Sequence, residues 1–258
     1  MDKHESVEKM YIKNDSLSIR QNLHDKYSVN KYGWHNWVFD QYNFSENIKV
    51  IEFGCGTGNT WVNKNDKLPK NVNIILTDIS PLMIEKIKGK FDNNEKFSYK
   101  IMDIQEIPFE DEYFDVIIAN HMLYHVPDLG RALSEVKRAL KNDGIFYTTT
   151  IGNLHLKELE DVYRIFERFA KFSYSSEITF TLNNGNEILR KNFTEIEKRV
   201  YRDSLIVTDV KDLMDYITSY NSISDEIYHE IHKIIKKGID INGDMKITKD
   251  SGMFICKK

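Results

Sequence analysis

The chain has 258 residues, 41 % hydrophobic and 29 % charged, which is ordinary for a globule that buries a full core without a metal or disulfide staple. Twelve glycines and four prolines exclude collagen-like and low-complexity chains. A formal net charge of −4 leaves no electrostatic footprint for bulk nucleic acid or an anionic membrane.

Two cysteines, Cys55 and Cys256, cannot build a disulfide framework, and no CxxC or His/Cys zinc spacing occurs, so no metal site is expected. The polar start, Met1 to Glu5, lacks the apolar run of a signal peptide. No apolar run approaches the length that spans a bilayer. These features lead to the expectation of a reduced, cytoplasmic protein without membrane contact.

Residues 1–47 read as helical and aromatic-rich. Leu17, Leu23 and Tyr27, then Trp34, Trp37, Val38 and Tyr42, recur at helical spacings, and Gly33 divides them into two helices. From Lys49 the texture changes. Lys49–Phe53, Asn73–Asp78, Phe114–Asn120 and Gly144–Thr150 are short runs rich in β-branched residues and read as buried strands, with Tyr99–Met102 as a further one. Between them, Pro81–Lys90 opens with Ser80 as N-cap, and Leu129–Leu140 with Asp128. Asn142-Asp143-Gly144 supplies the turn into the following strand. Strand–helix alternation of this kind predicts parallel βαβ units in a doubly wound α/β sheet. Residues 153–193, with Tyr163, Phe166, Phe169, Phe172 and Tyr174, interrupt the alternation and read as a helical insertion. Glu195–Val207 reads as a strand, Val210–Tyr220 and Asp225–Lys237 as helices, and Met245–Cys256 as two strand pieces around Lys249–Gly252.

The most informative segment is Glu52-Phe53-Gly54-Cys55-Gly56-Thr57-Gly58. Glycines between a strand and a helix let the backbone approach a ligand closely. A dinucleotide fingerprint would read GxGxxG with a pyrophosphate on the helix N-terminus. Here the spacing is GxGxG, and Glu52 in front would repel a pyrophosphate but suit a cationic ligand. Asp78, at the end of the next strand, stands where an acid accepts from both ribose hydroxyls of a nucleoside. Its other reading is a cap for the helix from Pro81, a task that Ser80 fills. Asp103, after Tyr99–Met102, is a further ligand candidate or else a solvated turn acid.

Residues 52–58, Thr77-Asp78-Ile79-Ser80, Met102–Phe109 and Phe114–His121 resemble the successive motifs of class I S-adenosylmethionine-dependent methyltransferases, small-molecule type. Leu140–Gly144 resembles the turn before that family's fifth strand. The likeness covers roughly residues 45–152 and is specific for fold and cofactor, not for substrate. It implies a Rossmann-like, seven-stranded, mostly parallel sheet ending in an antiparallel hairpin, for which Glu195–Val207 and Met245–Cys256 are candidates. It also implies roles. Gly54, Gly56 and Gly58 would pass under the methionine part of S-adenosylmethionine, with Glu52 near its α-amino group. Asp78 would grip the ribose and Ile79 cover one face of the adenine. Asp103 and the Ile104 backbone would meet the adenine edge. Asn120 and His121 would lie beside the sulfonium.

Methyl transfer needs alignment and exclusion of water, and a base only where the nucleophile must lose a proton. His121 and His125 are the candidates for base or substrate contact. Their other reading is polar loop lining, and a metal pair on one helical face lacks a third soft ligand. In similar methyltransferases an N-terminal helical segment folds over the cofactor. Tyr27 and Trp34 are candidates for that cover, although the aromatics there also read as ordinary packing. The expected organisation is a helical lid at residues 1–45, then a methyltransferase domain at 46–258 with the insertion at about 153–193, the two helical segments closing the site together. The leading reading is a methyltransferase for a small-molecule substrate. The alternatives are action on a nucleic acid or protein, against which the charge argues, and cofactor binding without turnover.

Overall fold

The computed structural model describes residues 16–91, 94–159, 162, 164, 178–219 and 223–258. Tyr163, Phe166, Phe169, Phe172 and Tyr174 of the expected insertion lie outside the described residues. The chain divides into two compact units. The larger comprises Trp34–Gly152, Thr179–Tyr201 and Ser251–Lys258; the other takes its described residues from Met1–Gly33, Asn153–Ile178 and Arg202–Asp250. No described helix is long and apolar enough to cross a membrane.

Seven strands form one sheet: β1 (Lys49–Phe53), β2 (Asn73–Asp78), β3 (Phe97–Ile101), β4 (Phe114–Asn120), β5 (Leu140–Ile151), β6 (Glu195–Val207) and β7 (Met245–Lys257). The order is β3-β2-β1-β4-β5-β7-β6. The first five strands pair in parallel, and β7 runs antiparallel to β5. Strands covered on both faces read as continuous apolar runs. Val50, Ile51 and Phe53 of β1 and Ile117, Ile118 and Ala119 of β4 are accordingly buried. The chain reverses its direction of travel across the sheet between β1 and β4. Open α/β sheets bind ligands outside the C-terminal ends of the strands at such a switch point.

In the larger unit, a short helix α2 (Trp34–Phe39) precedes β1. Helix α3 (Pro81–Lys90) begins with Pro81 in its first turn, but the Ser80 hydroxyl makes no capping bond. Ser80 keeps the N-cap position, and its own N–H donates to Asp78 Oδ1 at 2.9 Å. Helix α4 (Leu129–Ala139) is capped by Asp128, which accepts from the Arg131 N–H, and it buries Ala132, Leu133, Val136 and Ala139. Arg138 at its end binds Glu135 and Asp111 and the carbonyl oxygens of Ile107 and Phe109, which fastens the loop after β3.

Two expectations are corrected. Asn142–Gly144 is not a separate turn: β5 begins at Leu140, and the extra residues are absorbed by a register shift opposite Phe114 and Val116. Met245–Lys257 is one strand rather than two pieces. Its polar middle stays extended because each side chain finds a partner, Lys249 with Asp203 and Asp250 with the Leu154 N–H. Residues 179–193 of the expected insertion belong to the larger unit. Phe180, Leu189 and Phe193 are buried in the core of the larger unit, where helix α5 (Gly185–Leu189) packs so closely that a Cβ on Gly185 would meet the Phe254 ring.

In the smaller unit, α1 (Ser16–Tyr27), α6 (Val210–Thr218) and α7 (Asp225–Asn242) share a core that includes Leu23, Leu213, Ile217, Ile231 and Ile235. Asp209 and Ser224 cap α6 and α7, and Gly243, at φ 80°, ends α7. Lys249 and Asp203 form a buried ion pair at 2.7 Å. His155 accepts the Asp250 N–H, and burial pushes its imidazole down to about 3.

Candidate functional site

The loop after β1 places its three glycines in the left-handed region, φ 64° at Gly54, 52° at Gly56 and 67° at Gly58. Their surroundings differ. A Cβ on Gly54 would lie 2.8 Å from Met122 Cβ, and one on Gly58 2.5 Å from Ile87 Cδ1. These two glycines let β4's exit and α3 close in on the loop. A Cβ on Gly56 would meet nothing within 4 Å. Gly56 thus presents bare backbone to open space at the sheet's switch point, a cradle that a side chain would fill.

Asp78 closes the loop from the side. Its Oδ2 accepts the Gly56 N–H at 3.0 Å and its Oδ1 the Ser80 N–H at 2.9 Å. A carboxylate has about four lone-pair directions, so acceptor capacity is left beside these N–H groups for a ligand hydroxyl. Burial raises the Asp78 carboxyl, opposed by the N–H groups of Ser80, Gly56 and Ile79. Ile79 beside it is an exposed apolar side chain, 38 % accessible. Beyond β3, Asp103 accepts from the Gln105 N–H and Nε2, both at 2.9 Å. Ile104 beside it is buried.

Under the loop lies a polar network. Glu52 is 3 % exposed. Its Oε2 accepts from Trp61 Nε1 at 2.5 Å and its Oε1 from Asn120 Nδ2 at 2.8 Å. Asn120 Nδ2 also donates to the Tyr42 hydroxyl at 2.7 Å. Asn120 Oδ1 is buried and has no hydrogen-bond partner. Burial pushes the Glu52 carboxyl up to about 7 against the pull of its two donors. A buried acid with no cationic partner among the described residues, beside an orphaned acceptor, fits an ammonium group.

His121 leaves β4 with φ 49°, held there by its N–H donating to the Thr149 carbonyl and hydroxyl. A 3-10 turn, Leu123–His125, follows, so His121 and His125 share no helical face. Among the described residues no group of His, Cys, Asp or Glu side chains is arranged to hold a metal ion. The His121 ring lies 5.0 Å from Trp34, which packs on Trp37 and Tyr201. His125 packs edge-on to Tyr124. Tyr27 belongs to the smaller unit, where its hydroxyl donates to Asp212 at 2.7 Å.

The structure thus brings Glu52, Gly54, Gly56, Gly58, Asp78 and Asn120 into one connected set. Trp61 and Tyr42 join it unannounced by any motif. A usable signal existed: a buried tryptophan N–H and a buried carboxylate each demand a partner.

A family profile described as a methyltransferase domain matches residues 51–148, the stretch that carries all of these loops. The chain contains a class I S-adenosylmethionine-dependent methyltransferase domain. It is 24 % identical over 156 residues to the ubiquinone/menaquinone biosynthesis C-methyltransferase UbiE of Citrifermentans bemidjiense, covering 55 % of this chain and 66 % of that protein. The aligned part is thus just under two thirds of that relative's length. Among solved structures, the YcgJ protein of Bacillus subtilis superimposes with a TM-score of 0.61 at 16 % identity, covering 87 % of this chain and 97 % of the other. The phosphoethanolamine N-methyltransferase 2 of Haemonchus contortus, in complex with S-adenosyl-L-methionine, gives 0.61 at 16 %, covering 97 % of this chain and 59 % of the other.

Proposed function

We propose that this chain transfers a methyl group from S-adenosylmethionine to a small-molecule acceptor. The observation that carries the reading is the open cradle over Gly56, bounded by the free lone pairs of Asp78 on one side and by Glu52 with the orphaned Asn120 Oδ1 on the other. When bound, the cofactor supplies an electrophilic methyl group on a sulfonium. The residues supply the rest. Asp78 accepts the two ribose hydroxyls, and Ile79 lies against the adenine face. Asp103 and the Ile104 backbone meet the adenine edge. Glu52 and Asn120 receive the α-ammonium group. The Gly54–Gly58 backbone lets the methionine part lie close to the sheet.

The acceptor side is built by α2 and the exit of β4. Trp34 packs over His121, and Tyr42 reaches Asn120, so residues 34–42 supply part of the cover assigned from sequence to the N-terminal segment. Aromatic walls exclude water from the transfer and orient an apolar acceptor. His121 stands at this wall as substrate contact or base, with His125 further along the same loop. Support for a small-molecule acceptor comes from the net charge of −4 and from the relative named for quinone biosynthesis.

The test is calorimetric titration with S-adenosylhomocysteine and NAD, followed by transfer of labelled methyl from S-adenosylmethionine to a metabolite extract. Binding of S-adenosylhomocysteine but not NAD, with label recovered in a small molecule, is expected. Binding of NAD alone refutes the cofactor assignment. Label recovered only in nucleic acid or protein refutes the acceptor class, and binding without any transfer refutes turnover.

A further inference from the structure

Glu52 is the one carboxylate of the site whose two donors are both side chains, and each donor is held from behind. Trp61 is 1 % exposed. Its ring is enclosed by Phe39, Tyr42, Phe44 and Phe97, at centroid distances of 6.1, 6.0, 6.0 and 5.8 Å. Packed on these rings, it keeps its N–H on Glu52. Trp61 also ends the 3-10 turn Asn59–Trp61, which starts directly after Gly58. The glycine loop and the acid beneath it are therefore tied by a short stretch of chain and by one hydrogen bond.

The second donor is fixed in the same way. One amide hydrogen of Asn120 goes to Glu52 and the other to Tyr42. With both hydrogens committed, the carboxamide cannot flip, and Oδ1 must face away from them. That is the buried atom without a partner. The other titratable groups around Glu52 are Asp78 at the end of β2, Cys55 in the loop, and Tyr42 with Tyr147 behind it. None is a cation, so among the described residues nothing balances a Glu52 charge.

We propose that Trp61, with Tyr42 acting through Asn120, is a positioning residue that holds Glu52 and Asn120 Oδ1 as a fixed pair of acceptors for the α-ammonium group of the cofactor. This rests on the cofactor reading above and adds to it two residues outside the loop motifs. The two donors stabilise the ionised form of Glu52, in which it can receive a cation. Rigid aromatic packing means that no ordering remains to be done when the ligand arrives. Loss of the Trp61 N–H favours the protonated acid, which offers one acceptor fewer. Binding then requires deprotonation of Glu52, with one proton released to solvent.

The experiment is calorimetric titration of the full chain with S-adenosylhomocysteine across pH 5–8, on wild type, Trp61→Phe, Tyr42→Phe and Glu52→Gln, with thermal unfolding of each unliganded protein. Wild-type affinity is expected to rise with pH through neutrality. Trp61→Phe keeps the ring and removes the donor. It is expected to weaken binding at least about tenfold at pH 6 and to move the rise upward by about one pH unit. Tyr42→Phe is expected to act in the same direction, and it stands in if Trp61→Phe does not fold. Glu52→Gln is expected to flatten the rise. If wild type binds and both donor variants bind equally well with the same pH profile, the positioning role is overturned while the cofactor reading stands. Weakening by the same factor at every pH shows packing alone and also overturns it. If wild type binds no S-adenosylhomocysteine, it is the cofactor reading that falls.

Discussion

Gly56→Ala and Gly58→Ala are the same chemical change in the same loop, yet they are expected to fail in opposite ways. Both residues have left-handed backbones, φ 52° and 67°. An alanine there costs about 1–2 kcal/mol of backbone strain. At Gly56 that is the whole cost to the unliganded fold, since the new methyl meets nothing within 4 Å. For a chain of this size it lowers Tm by about 2–8 °C, at roughly 2–4 °C per kcal/mol. The methyl occupies the space above the loop, so affinity for S-adenosylhomocysteine should fall about five- to a hundredfold, since a methyl forced into a tight contact costs about 1–3 kcal/mol. At Gly58 the methyl would sit 2.5 Å from Ile87 Cδ1 and 2.9 Å from Phe91. Overpacking adds about 1–3 kcal/mol to the strain, and the loss appears first as instability. Urea unfolding without ligand and calorimetry with it, on both variants, separate the two effects. If Gly56→Ala binds as tightly as wild type, the space above Gly56 is not the ligand's, and the site assignment is wrong.

Asp78→Ala removes the acceptor for the Gly56 and Ser80 N–H groups. Calorimetry should show affinity reduced at least about tenfold, and unfolding a loss of about 1–2 kcal/mol, since two loop bonds go together. Glu52 has its carboxyl raised to about 7, so its protonated form is favoured in the fold and its contribution is lost as pH rises from the ordinary carboxyl range to neutrality. Unliganded Glu52→Gln should therefore gain on wild type across that window, by up to about 3 kcal/mol; a constant difference in denaturant unfolding refutes this. His155, held neutral down to about 3, works the other way: stability is lost as pH falls below the ordinary imidazole value near 6.5. His155→Gln should blunt acid unfolding as followed by circular dichroism.

The central strands were legible because burial on both faces writes itself as runs such as Val50–Phe53 and Val116–Ala119. The loop motifs were legible because left-handed backbone and close approach demand glycine. Less visible was anything set by long-range partners. Met245–Lys257 looked broken at Lys249–Gly252, yet Asp203 and the Leu154 N–H satisfy its polar side chains from distant parts of the chain. Gly252 there admits the Arg199 carbonyl, which a Cβ would meet at 2.4 Å. Asp78 was weighed as ligand against cap, and the geometry shows one carboxylate serving a turn while keeping lone pairs free. Trp61 and Tyr42 were read as packing or passed over, because aromatic spacing says nothing about where an N–H or hydroxyl points.

The two cysteines carry a consequence for anyone handling the protein. Both thiols are buried, Cys55 between the first two loop glycines and Cys256 at the far end of β7, and burial raises both above the ordinary thiol range. Thiols held protonated and out of solvent are poor nucleophiles. Alkylating reagents should pass the folded chain by and modify each site only when its surroundings open. With Cys55 in the glycine loop and Cys256 on the antiparallel strand, native pulse labelling followed by peptide mass analysis becomes a two-point clock for local opening, built into the natural sequence and needing no engineered probe.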